Sequence, residues 1–186
     1  MSKRKITDNP IALRSQKWLC NALIELMHEK PYSKITITEI CNRAELARET
    51  FYRNFSSKEA IIKYCLEVKF KDLIKKIKNN REDICAYNVC LEIFNHWKKE
   101  KEFLKLLIDN NLVHIILDQL SEEFQSIGNF IIKRNESDEA KYYITSIYAG
   151  AFTNLLVKWV LRDCKEEPEE MVRIMCEYGP DKERFV

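Results

Sequence analysis

The chain has 186 residues, 31 Lys and Arg against 29 Asp and Glu for a net charge of +2, and only 3 Gly and 4 Pro. That length buries a real core and holds one small domain plus one larger one, while so few Gly and Pro leave little material for hairpins or long loops. The 7 Cys are odd in number and lack paired close spacing, which argues against a zinc site and a closed disulfide framework. Free buried thiols in a reducing cytoplasm are the expectation, with Cys85 and Cys90 the closest pair for any redox role. No run approaches transmembrane length and the N-terminus lacks a signal-peptide apolar core, so the expected location is cytoplasmic.

The chain opens on a basic arm, Lys3, Arg4 and Lys5, which reads either as a solvated start or as a nonspecific phosphate or minor-groove contact. Residues 1–60 carry 11 Lys and Arg against 7 Asp and Glu, and the remainder 20 against 22. A basic N-terminal part on a mildly acidic body suits a phosphate-binding module. The first helix is expected from Asn9, as cap, and Pro10 to Lys30-Pro31, with an apolar stripe of Ile11, Trp18, Leu19, Ala22, Leu23, Leu26 and Met27. It would buttress the two short helices that follow, which cannot bury enough surface unaided.

Residues 33–58 contain those two helices around a tight turn. Thr36 and Glu39 have the spacing of a capping box, and Ile37, Ile40, Cys41 and Ala44 recur on one narrow face. Glu45 and Leu46 break the period. Leu46, Phe51 and Phe55 then anchor a second helix whose outer face carries Arg48, Glu49, Tyr52 and Arg53. Guanidiniums at such positions suit guanine edges or phosphates, and a phenol donates to phosphate. An ordinary solvated face of a short amphipathic helix would use the same residues. A further helix is expected from Ser56-Ser57, with Ser56 and Glu59 as a second capping box. Lys58 falls in its first turn, where the helix dipole disfavours a cation unless a phosphate is its partner.

From Ile35 to Ile62 the chain resembles the DNA-binding domain of the TetR family of bacterial regulators. The resemblance is carried by Thr50-Phe51-Tyr52-Arg53-Asn54-Phe55-Ser56-Ser57-Lys58-Glu59-Ala60, an aromatic pair, a variable polar residue, Phe, a short turn and Lys-Glu opening a long helix. The chain departs from the family pattern at Glu45, where Gly is usual in the turn, and at Ala47, where Ser or Thr often starts the recognition helix. The first departure implies a turn that tolerates a Cβ or adopts a slightly different geometry; the second removes a cap and with it a candidate phosphate contact. The resemblance implies a DNA-binding set of Thr36, Thr38, Arg48, Glu49, Thr50, Tyr52, Arg53, Asn54 and Lys58. Arg48 and Thr50 are expected to carry base preference, and Thr36, Tyr52 and Lys58 to hold phosphates.

Beyond residue 60 the helices lengthen. Ile62, Cys65, Leu66, Leu73 and Ile77 extend the fourth until Asn79-Asn80; Tyr87 to Trp97, Phe103 to Leu107 and Val113 to Phe124 mark three more. Ser137 caps a long helix in which Tyr143, Ile144, Ile147, Tyr148, Ala151, Phe152, Leu155, Leu156, Trp159 and Val160 cover more than one face, so it must be buried on two sides. The last helix opens at Pro168, carries Met171, Ile174, Met175 and Tyr178, and stops at Gly179-Pro180. The expected fold is all-α, a helix-turn-helix domain at 1–56 and a larger helical regulatory and dimerisation domain at 57–186, about nine helices in all.

The resemblance implies a homodimer through the final two long helices, here with Ile147, Gly150, Ala151, Leu155 and Ile174 at the interface. It also implies an effector bound within the larger domain, for which Phe94, Trp97, Phe103, His114, Tyr143 and Tyr148 are candidate lining residues, although plain core is the better reading of each, since aromatic stripes at helical spacing usually pack. No cofactor, metal or catalytic group is expected: His28, His96 and His114 fall on separate helices, and no phosphate loop or nucleophile elbow appears. The expected function is a DNA-binding transcriptional regulator, a repressor released from a palindromic operator by a small molecule. The alternative is an activator or nucleoid-associated factor controlled by a protein partner.

Overall fold

A computed structural model describes residues 9–79, 86–132 and 136–178. The expectations for Lys3, Arg4, Lys5, Asn80, Cys85 and the Gly179-Pro180 stop lie outside them. All regular structure among the described residues is helical: α1 (Pro10–Glu29), a 3-10 turn (Tyr32–Lys34), α2 (Ile37–Arg43), α3 (Arg48–Asn54), α4 (Lys58–Asn79), α5 (Ala86–Lys99), α6 (Lys101–Asp109), α7 (Val113–Ile131), α8 (Asp138–Leu161) and α9 (Pro168–Tyr178).

The chain forms two compact units, Met1–Leu66 and Glu67–Val186. The expected boundary at 56/57 followed the start of α4. The first compact unit runs further because Ile61, Ile62, Cys65 and Leu66, on the first turns of α4, are all buried.

In the first unit α1, α2 and α3 all pack on one another. Asn9 caps α1, its side chain accepting from the Ile11 N–H, and Pro10 follows at the first helical position. The buried face of α1 is Ser15, Gln16, Leu19, Ala22, Leu23, Leu26 and Met27. Ile11 and Trp18, expected in that stripe, are 74% and 41% exposed instead. The period from Leu19 backward passes through Ser15 and Gln16, so the helix sacrifices two apolar residues on its flank to keep phase with the lower core. Ser15 Oγ meets its burial by donating to the Ile11 carbonyl at 3.0 Å. Trp18 lines an open groove of about 490 Å³ with Asn21, Ala22, Glu25, Arg43, Ala44 and Glu45.

The cysteines depart from expectation too. Cys20 of α1 and Cys65 of α4 are joined by a disulfide rather than standing as free thiols. Close sequence spacing was the wrong guide, because 45 residues separate two cysteines that the helix packing makes neighbours.

In the second unit α7 and α8 pack along each other, α6 also meets α8, and α5 packs on α9. Phe94 anchors this core, with ring centroids 4.7 Å from Phe152 and 5.3 Å from Trp159; Phe124 lies 5.8 Å from Phe152. Lys101 to Asp163 at 2.7 Å and Lys98 to Glu167 at 2.5 Å clamp the chain between α8 and α9. By length and mean hydropathy, 1.3, α8 reaches the threshold of a membrane span, contrary to the sequence expectation. Its apolar residues divide between two faces. Thr145, Ala149, Phe152, Thr153, Leu156, Trp159 and Val160 are buried, whereas Tyr142, Tyr143, Ile147 and Leu161 are exposed.

Three helix ends close by the same device. After α2, the Leu46 N–H reaches the Cys41 carbonyl and the Glu45 N–H the Asn42 carbonyl, with Glu45 at φ 54°. After α6, Leu112 bonds to Leu107 and Asn111 to Ile108, with Asn111 at φ 60°; after α8, Cys164 bonds to Trp159 and Asp163 to Val160, with Asp163 at φ 61°. This pairing of bonds around a left-handed residue is the Schellman ending that usually recruits Gly. The tolerance of a Cβ implied for the Glu45 turn is therefore met by left-handed backbone carrying a side chain, at a conformational cost. Glu45→Gly is expected to stabilise the protein by about 0.5–1 kcal/mol, read as a higher urea midpoint at unchanged m. A lower midpoint would show that the Glu45 side chain contributes more than its backbone costs.

Candidate nucleic-acid interface

The candidate site begins at the lead-in to α2. Thr36 caps that helix: its Oγ1 accepts from the Glu39 N–H at 3.2 Å, and the Glu39 carboxylate accepts from the Thr36 N–H at 2.9 Å. The same carboxylate pairs with Lys30, and these bonds, Lys30 first, hold its pKa down to about 2. On the other end of α2, Arg43 is fastened to α1, reaching Glu29 at 2.9 Å and Glu25 at 3.3 Å. Polar residues thus fix both ends of a seven-residue helix that buries only Ile40 and Cys41.

The turn through Glu45 delivers the chain to α3, whose N-cap is Ala47 with no side-chain cap bond. Phe51 is fully buried and meets Phe55 at 6.2 Å between ring centroids, and Phe55 meets Tyr64 at 5.7 Å. Anchored on that side, α3 exposes Arg48, Glu49, Tyr52 and Arg53 on the other, with Tyr52 54% exposed. An Arg48 guanidinium nitrogen donates to the Tyr52 hydroxyl at 3.4 Å, one turn along. The result is a short outward face with two guanidiniums and a phenol, the donors that base edges and phosphate oxygens accept from.

The remaining expected DNA residues fall differently. Thr36 and Thr38 are exposed, but the Thr36 hydroxyl already serves the capping box. Thr50 and Asn54 are half-buried, and the Asn54 amide turns back to donate to the Thr50 carbonyl at 2.8 Å. Lys58 is the clearest difference. Its ammonium donates inward to the Ile35 carbonyl at 2.7 Å and the Tyr32 carbonyl at 2.9 Å, over the Tyr32 ring at 4.4 Å. Burial lowers its pKa. Two of its three hydrogens hold the loop ahead of α2, which explains a cation in a first helical turn without a phosphate. The cap of α4 also shifts by one residue: Ser57, not Ser56, accepts from the Ala60 N–H. Lys34, exposed two residues before Thr36, is a cation on this edge that pattern reading passed over.

The expected effector-lining residues are not brought together. Phe94 belongs to the Phe152–Trp159 cluster, Trp97 packs 5.0 Å from Phe70, and Phe103 lies under the Lys69 ammonium at 4.9 Å. Tyr148 is half-buried, and His114 and Tyr143 are exposed. One unexplained group is left among them: the Trp97 Nε1 is buried without a hydrogen-bond partner among the described residues.

Residues 19–65 match the family described as bacterial regulatory proteins, tetR family, and residues 86–179, half of the chain, match a transcriptional regulator C-terminal region. The chain belongs to the TetR family. It is accordingly a DNA-binding transcriptional regulator, and α2 and α3 lie within the stretch that matches the tetR-family model. Among its relatives is the dhaKLM operon transcriptional activator DhaS of Lactococcus lactis, 28% identical over 154 residues, which are 80% of each chain. The fold matches the solved dihydroxyacetone kinase operon activator DhaS at a TM-score of 0.55 and 20% identity, over 90% of this chain and 95% of that one. It also matches the regulator FadR of Bacillus subtilis in complex with stearoyl-CoA, at 0.51 and 17%, over 88% and 96%. The family and these relatives are transcriptional regulators.

The inward ammonium of Lys58 yields a distinct expectation. Lys58→Met leaves two carbonyls without their charged donor and should cost about 1–3 kcal/mol in urea unfolding. Full stability combined with a shallower salt dependence of DNA binding would put the ammonium on a phosphate instead.

Proposed function

We propose that the protein represses transcription as a homodimer on a palindromic operator and is released by a small, partly apolar effector. The observation that carries the DNA part is the outward face of α3, with Arg48, Tyr52 and Arg53 exposed above the buried Phe51. Arg48 and Thr50 discriminate bases; Tyr52, Arg53 and Lys34 hold phosphates and set position. Thr36 contributes through its backbone at the α2 terminus, since its hydroxyl is engaged.

The dimer reading rests on α8. Tyr143 and Ile147 are 66% and 57% exposed and Ala151 follows them one turn on, a continuous apolar row that water would otherwise cover. A Cβ built on Gly150 meets nothing within 4 Å, so no neighbour inside the subunit requires glycine there. Close approach of a second copy supplies a reason for a small residue at that point. Leu155, half-buried, continues the row one turn beyond Ala151, and the half-buried Ile174 of α9 is the second helix's candidate for the interface.

The effector reading is supported by the unpartnered Trp97 indole N–H, a buried donor that an acceptor-bearing ligand would satisfy, and by the stearoyl-CoA held by a relative of the same fold. α4 is one unbroken helix from Lys58 to Asn79 and passes the boundary between the compact units at Leu66–Glu67, which supplies a mechanical route from effector to half-site spacing. A coupling of about 1–3 kcal/mol suffices for regulation. A second reading is an activator answering to a protein partner; its activator half is supported by the DhaS relative, itself a transcriptional activator.

Arg48→Ala should relax discrimination at one base pair by about 1–3 kcal/mol, measured by competition gel shift with single-base operator variants. Uniform weakening on every sequence would make Arg48 a phosphate contact. Ala151→Arg should convert the sedimenting dimer to monomer, because an unpaired charge would be desolvated in the interface. A wild-type protein that stays monomeric at micromolar concentration would remove the dimer. Metabolites selected by thermal shift should release operator DNA; binding without release would favour the partner-dependent reading.

A further inference from the structure

The disulfide between Cys20 and Cys65 lies within the first compact unit, its Cα atoms 6.2 Å apart, inside the range native disulfides span. The segment it closes contains the Tyr32–Lys34 turn, α2 and α3, the entire reading module. It ties α1, on which α2 and α3 pack, to α4, whose Lys58 holds the lead-in to α2. A DNA-binding regulator works where the DNA is, and thiols in that compartment are kept reduced, so a disulfide there is transient and sensing rather than a permanent staple. The two cysteines also differ in access: Cys65 is 2% exposed, whereas Cys20 is half-buried with Trp18 and Asn21 exposed around it.

We propose that Cys20 and Cys65 form a reversible oxidation site for hydroperoxides, whose state sets how firmly the DNA-reading module is held. The Cys20 thiolate, the accessible sulfur, attacks one peroxide oxygen; the O–O bond breaks, the alcohol or water leaves, and Cys20 carries a sulfenic acid. The Cys65 sulfur then attacks the Cys20 sulfur, the S–O bond breaks, and the hydroxyl leaves as water with the Cys65 proton. Two thiols and one hydroperoxide give one disulfide, one alcohol and one water, the sulfurs losing the two electrons that the peroxide gains. Thiol exchange through a mixed disulfide at Cys20 reopens the bond. Cys41 and Cys164 are internal comparisons, since both are buried and burial raises their thiol pKa values. The consequence for DNA affinity rests on the reading of α3 as the DNA-contacting helix; the chemistry at sulfur does not.

The test uses the full chain, reduced with dithiothreitol, freed of reductant and treated with stoichiometric hydrogen peroxide under native conditions. The expected product is lighter by two hydrogens, yields a Cys20–Cys65 linked peptide, leaves Cys41 and Cys164 alkylatable after unfolding, and reopens in millimolar reduced glutathione. The oxidised form should melt higher and bind operator DNA more tightly than the reduced form, by about five-fold or more. Cys20→Ser should behave as the reduced form with or without peroxide. Cys65 is buried, so Cys65→Ser can fail by misfolding; peptide mapping of the wild-type chain does not depend on it. The proposal is overturned by absence of the linked peptide, by a bond that glutathione never opens, or by equal melting and equal affinity in both states. A chain that cycles its disulfide with a melting shift yet binds no DNA in either state would instead defeat the DNA-binding role of α3.

Discussion

A seven-residue helix has almost no stability of its own, and the face proposed to read DNA depends on two of them. Everything in the first compact unit answers that constraint. α1 supplies the long surface on which both short helices lie, with Leu19 and Leu23 fully buried beneath Ile40 and Phe51, which are equally inaccessible. The burial of Phe51 in α3, like that of Ile40 and Cys41 in α2, rather than helix propensity, keeps the short helix in place and points its other face outward. Once Phe51 is fixed, the 3.6-residue period leaves Arg48, Tyr52 and Arg53 no alternative to the surface.

Polar groups complete what apolar burial cannot. The Thr36–Glu39 capping box satisfies the free N–H groups at the start of α2, and Arg43 ties its end to α1. Lys58 extends the same logic across chain distance: from the first turn of α4 it holds two carbonyls of the loop before α2. An ammonium so engaged is structural, and its removal acts on the position of α2 before it acts on any phosphate. The disulfide between Cys20 and Cys65 links the same pair of supporting helices covalently. The module is thus held by contacts made entirely at its back.

The second unit is organised differently, around one helix with two apolar faces. The buried face of α8 packs on α7 and α6, its Phe152 meeting Phe124 of α7 and Phe94 of α5 and its Trp159 also meeting Phe94, while Ile147 and Tyr143 are left to solvent within a single chain. A helix of this kind has the hydropathy of a membrane span, yet its buried Thr145 and Thr153 hydroxyls bond to carbonyls one turn back and its exposed row stands beside Gly150. The apolar surplus is the quantity a second copy would remove from water.

Helix type, order and ends were legible in the residues because they rest on local rules. Asn9-Pro10, Thr36 with Glu39 and Ser137 announce helix starts through side chains that reach N–H groups two or three residues away, and the structure places those bonds there. The uncapped Ala47 was equally visible, a property of one residue in one backbone position, whereas Glu45 fits either a Cβ-tolerant turn or another geometry until its left-handed backbone is seen. The outward face of α3 followed from its period. What the sequence could not decide was every choice between partners distant in the chain. Lys58 had a phosphate as its local explanation, and the structure adds two carbonyls more than twenty residues away that no local pattern announces. Cys20 and Cys65 look unrelated until α1 and α4 pack, and Ile11 and Trp18 fit a helical stripe whose phase the core sets through Ser15 and Gln16 instead. The aromatic residues of the second unit were recognisable as buried, but their sorting into separate clusters depends on how helices cross. Spacing along one helix determines which residues share a face; only the packing of several helices determines what that face meets.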